Sequence, residues 1–84
     1  MQSTIRIVVA DRGFVYVGNV SKTESGLMIT NARNIRKWGT SRGLGQLAVD
    51  GPQQGTVLDN VGTVEIPTHA VMHIIECDGE KWNK

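Results

Sequence analysis

The chain has one cysteine, no long apolar run and almost no net charge, and each shortage removes a class of protein. A lone Cys77 excludes an intramolecular disulfide. With only His69 and His73 near it, the sequence offers no metal-ligand spacing, and no cofactor motif is present. No stretch approaches the roughly 18 apolar residues of a membrane span, so a soluble protein with no membrane partner is expected. The opening "MQSTIRIVVAD" lacks a basic start, a long apolar centre and a small-residue cleavage site, and the expected location is cytoplasmic. At 84 residues the chain makes one small domain, expected over 1–78 with a frayed polar tail at 79–84. A domain of that size buries little apolar surface, so help from a partner chain is expected.

What is present is unevenly placed. Net charge is only +1, yet residues 1–42 carry Arg6, Arg12, Lys22, Arg33, Arg36, Lys37 and Arg42 against Asp11 and Glu24. Residues 43–84 hold two basic side chains against six acidic ones. This asymmetry permits a basic face on a nearly neutral protein, the alternative being an ordinary solvated surface.

Hydrophobic alternation and β-branched content predict strands in "STIRIVVAD", "FVYVGNVSK", "LMITNARNIRKW", "VGTVEI" and "AVMHIIEC". "DRG", "TESG" and "PTH" are the turns between neighbours. Gly18, at the centre of the second strand, predicts a sharp bend or a close backbone approach. Between Gly39 and Asn60 alternation is lost, and "SRGLGQLAVDGP" has room for one or two helical turns, with Ser41 as a cap and Gly51-Pro52 as the stop. Five short strands with one long loop predict an all-β protein, a strongly bent five-stranded antiparallel barrel of SH3-like or OB-like type.

The long loop is rich in glycine, but "GTSRGLGQL" lacks the lysine of a phosphate-binding loop and the glycine order of a dinucleotide fingerprint. Two uses remain. Leu44, Leu47 and Val49 can fold back over an open end of the barrel. Alternatively Arg36, Lys37, Trp38 and Arg42 form a cationic surface on which a base stacks, although Trp38 can equally be core.

Several segments resemble a known family. "GFVYVGNV", with Gly13 and Gly18 five residues apart, looks like the first signature of Sm-like proteins. "LMITNA" resembles their third strand, ending at Ala32. "IPTHAVMHI" resembles their closing signature, with Ile66, Val71 and Ile74 in the apolar places, and "THAV" is similar to the corresponding segment of bacterial Hfq at His69 and Ala70. Together these cover residues 4–36 and 61–76. "WGTSRGLGQLA" also resembles small phage and prophage proteins, which implies a phage origin.

The resemblance implies a five-stranded Sm-like barrel that pairs its fourth strand with the fifth of the next copy, giving a homo-oligomeric ring. Single-stranded RNA is the partner it implies, with Lys22, Thr68 and His69 on the inner rim and Tyr16 or Trp38 as stacking surfaces. Plainer roles compete: His69 as a turn residue, Lys22 beside Glu24 as a solvated turn, Tyr16 as packing. The family's base-reading asparagine is replaced by Gly26, and its arginine-glycine pair by Pro67-Thr68. These departures favour an alternative, a structural or decoy ring that binds a host protein or a small nucleotide instead of RNA. An enzyme is not expected, since no serine, cysteine or carboxylate stands in an activated pair and the acidic neighbours of Cys77 disfavour its thiolate.

Overall fold

Five strands and two short helices organise residues 5–82, which the computed structural model describes. β1 (Ile5–Ala10), β2 (Val15–Lys22) and β3 (Gly26–Lys37) follow one another through tight turns; α1 (Leu44–Asp50) sits in the long loop; β4 (Val57–Pro67), β5 (Val71–Glu76) and α2 (Gly79–Trp82) complete the chain. The strands form one antiparallel sheet in the order β4-β3-β2-β1-β5. β4 begins earlier than the alternation at 61–66 predicted, because Val57 and Leu58 continue the pairing with β3 opposite Lys37 and Ile35.

This order cannot lie flat. β4 and β5 are the two outer strands, four spacings or roughly 19 Å apart in a planar sheet, whereas the chain from Pro67 to Val71 reaches at most about 14 Å. The sheet therefore rolls, and the backbone shows where. The β2–β3 register shifts between Val17 and Asn19, opposite a bulge at Asn31, whose φ of 50° is left-handed. Gly18 occupies the inside of that bend: a Cβ there would stand 2.7 Å from Ile29 Cγ2 and 2.9 Å from the Thr30 carbonyl oxygen. The bend expected at Gly18 is present, and it depends on the missing side chain. The sheet does not close on itself, since β4 and β5 do not pair among the described residues.

Rolling divides the core in two. Alternation along β1 sends Ile7 to one face and Val8 to the other, and both are fully buried. The first cluster joins Ile7, Val15, Val17 and Ile35 to Leu47 and Ala48 of α1 and Trp82 of α2. The second joins Val8, Ala10, Val20, Leu27, Ile29, Ala32 and Ile66, all from strands. Each fully buried Ile, Leu or Val contributes about 1.5–3 kcal/mol of transfer free energy.

The helical cover differs from the expectation in two places. Leu44 and Leu47 do pack on the first cluster, but Val49 stays 61% exposed on the far side of a seven-residue helix. Ser41 does not cap α1, whose N-cap residue is Gly43; instead Gln46 Oε1 reaches back to accept the Arg42 backbone N–H at 2.8 Å. Residues Gly79–Trp82 of the polar tail form α2, with Trp82 buried. Asp78 Oδ1 accepts the Glu80 N–H at 3.0 Å, and the Trp82 indole N–H donates to the Ala48 carbonyl at 3.2 Å. The Asp78 N–H reaches the same carbonyl at 2.9 Å. A single indole with a buried polar partner is enough to pin a polar segment. Residues 83 and 84, the rest of that expected tail, lie outside the described residues.

Candidate nucleic-acid interface

Seven of the eight residues expected at an RNA site fall into two groups at opposite ends of β3. At the Gly26 end, the β2–β3 turn meets the 3₁₀ turn Thr68–Ala70 that links β4 to β5. The Thr68 backbone N–H donates to the Ser25 carbonyl at 3.0 Å and the Thr68 hydroxyl to the same oxygen at 3.2 Å. Gly26 makes this join possible, because any Cβ there would collide with the Ile66 carbonyl. Lys22, Thr68 and His69 are all exposed around it. Thr68 spends its hydroxyl proton on Ser25, so toward a ligand it offers acceptor lone pairs.

At the Lys37 end stand Arg36, Lys37, Trp38 and Arg42, all exposed. β3 has 12 residues, which separates the two ends by roughly 36 Å of strand contour. One copy of the chain therefore does not gather the eight into a single surface. Trp38 is 43% exposed rather than core. Its carbonyl accepts the Thr56 hydroxyl at 2.7 Å, which anchors the backbone and leaves indole surface open for stacking. Arg36 is partly spent: its Nε lies 3.0 Å from Asp59 Oδ2, an exposed pair that weakens the local positive field. Tyr16 is half-buried, pairs with Val8 and Asn34 across the sheet and packs against the strand-only cluster. It belongs to neither end.

Cys77 is half-buried beside the helix-covered cluster, and burial pushes its thiol up to about 12, against a smaller opposing pull from a backbone hydrogen bond with Ile7. The thiolate is disfavoured, as the sequence led us to expect, but the cause is desolvation and not the acidic neighbours.

A further surface escaped the sequence reading. A groove of about 480 Å³ opens where β3 bulges, lined by Asn19, Asn31, Arg33 and Asn60 together with Gly18 and Gly62, and bounded by Trp82. These residues come from three strands and a terminal helix, so no local motif contains them. The available signal was the repeated appearance of asparagine inside strands, where that residue is depleted. Asn34, by contrast, has a structural use, donating to the Val15 carbonyl at 3.1 Å.

Fold and surface together define a small protein built on one rolled antiparallel sheet, with two open strand edges and polar residues gathered at its turns and at its bulge. No family model matches the chain, and neither a curated protein nor a solved structure matches it.

Proposed function

We propose that this chain is an Sm-like barrel subunit that assembles into a homo-oligomeric ring and binds single-stranded RNA with little sequence preference. The observation that carries the reading is the strand order. β4 and β5 each have one neighbour, and both expose apolar side chains: Val61 at 43% on β4, Met72 at 60% and Ile74 at 46% on β5. An uncovered edge presents a row of backbone donors and acceptors that another strand can pair. Pairing β4 of one copy with β5 of the next satisfies both edges through one head-to-tail contact, and such a contact gives a ring when its rotation closes.

In that ring the Lys22, Thr68 and His69 groups recur once per copy around an inner rim. Each group is a weak site, and repetition along one strand supplies affinity through effective concentration. Arg36, Lys37, Trp38 and Arg42 form a second, outer surface where a base stacks on the indole. The reading is one of binding, and it gives Cys77, whose thiolate burial disfavours, no catalytic part.

A ring that binds a host protein or a small nucleotide, without RNA, is the second reading. It is favoured by the ion pairs that offset two arginines, Arg36 with Asp59 and Arg6 with Glu76, and by the division of the remaining cations between two ends. Titration of oligo-U and oligo-A binding against salt separates the readings. RNA held through phosphates must weaken as salt rises, with the slope counting the contacts. Absence of binding at low salt, with the oligomer intact, removes RNA and leaves the second reading.

A further inference from the structure

From the groove at the β3 bulge we infer a binding site for a nucleoside monophosphate, formed entirely within one copy of the chain and separate from both surfaces of the ring reading. Its volume, about 480 Å³, falls in the range of pockets that hold small ligands. Its chemistry is one-sided: amides and a guanidinium line it, and no acidic side chain does. The Arg33 guanidinium lies over the Trp82 ring at 5.7 Å from the centroid, and the indole is fixed by its hydrogen bond to Ala48. A cation held in place in this way meets an anionic oxygen with little ordering left to do.

Opposite Arg33 in the β3–β4 register stands Asn60, and Asn31 occupies the bulge with no partner in either neighbouring register. Both asparagines are exposed, and neither side-chain amide is hydrogen-bonded to another described residue. Each offers a donor pair and an acceptor on one planar group, the pattern that matches the edge of a nucleobase. A phosphate alone would leave these amides unused, and an uncharged nucleoside would leave Arg33 unused.

The backbone supports the same place. β3 and β4 are both irregular beside Ala32, Asn31 is held at a φ of 50°, and Gly62 at 79°. Paired bulges and a left-handed residue other than glycine, together beside one opening, are characteristic of sites that re-aim side chains toward a ligand.

Tryptophan emission tests the inference, with Trp38→Phe as background so that Trp82 is the sole reporter. The full chain is titrated separately with AMP, UMP, adenosine and inorganic phosphate. AMP or UMP is expected to give a saturable change, with adenosine and phosphate each at least about tenfold weaker. Asn60→Asp places a carboxylate opposite Arg33 and is expected to weaken nucleotide binding by about tenfold or more. Asn31→Gly removes an amide while suiting the left-handed backbone, so it keeps the fold and is expected to weaken binding several-fold. No saturation by either nucleotide up to about 5 mM overturns the inference. So does a response to inorganic phosphate equal to that of AMP, or unchanged binding in the folded Asn60→Asp and Asn31→Gly variants. These outcomes do not depend on ring formation, which is read by mass and by oligonucleotide titration.

Discussion

The two hydrophobic clusters lie on opposite faces of the same strands, yet they are closed by different means. One is sealed from outside, by α1 from the long loop and by Trp82 from the end of the described chain. The other is sealed by the sheet itself, rolled at Gly18 and at the Asn31 bulge until Val8 and Ile29 are fully buried without any α-helix over them. The first closure depends on distant segments finding a surface. The second depends on backbone curvature and on a side chain that is absent. A small domain with little core to spare uses both.

The comparison can be broken from either side. Trp82→Ala should have the largest effect, about 3–5 kcal/mol in chemical denaturation, since it removes a large buried ring and the donor to Ala48. Trp38→Ala, at an exposed tryptophan, should change stability by no more than about 1 kcal/mol. Equal costs at the two positions would mean that the end of the chain is not part of the core. Gly18→Ala attacks the other closure. With the Thr30 carbonyl and Ala32 Cα about 3 Å from the new methyl group, a loss of about 1–3 kcal/mol is expected in the same assay. A neutral result would place the bend elsewhere.

A further effect is confined to alkaline solution. Folding raises the Cys77 thiol from 9.0 to about 12. Below pH 9 the group is protonated in both states and its contribution to stability is fully present. As pH rises from 9 toward 12 the unfolded chain ionises while the folded one does not, so that contribution is progressively lost. Denaturation midpoints of the wild type should therefore fall more steeply over this window than those of Cys77→Ala. Parallel curves would show that the thiol is solvated.

The same contrast explains what could be read from the residues alone. The strand-only cluster is local in its signals: alternation in "STIRIVVAD" and "FVYVGNVSK", and one glycine where a β-branched residue would be ordinary, marked two strands and the bend. The helix-covered cluster is not. Leu44 and Leu47 were identifiable as cover because they are apolar in a polar loop. Trp82 sits in "DGEKWNK", whose polarity outweighs one indole, and only the carbonyl of Ala48, 34 residues earlier, gives it a place. The start of β4 was hidden for a related reason, since Asp59 and Asn60 interrupt the apolar pattern on an edge strand that needs burial on one side only. Lys22, Thr68 and His69 stand together at one end of the sheet because the turns carrying them are short. Arg36, Lys37, Trp38 and Arg42 could not be related to them without the length of β3.

Both closures leave the same thing unfinished, the free edges of β4 and β5, and the functional account rests on their pairing between copies. Mass in solution at micromolar concentration, by light scattering behind size exclusion, tests this directly when wild type is run beside Ile74→Arg. A single closed species of several copies that falls to monomer in the variant is the predicted result; a wild-type chain that is already monomeric and folded would contradict it.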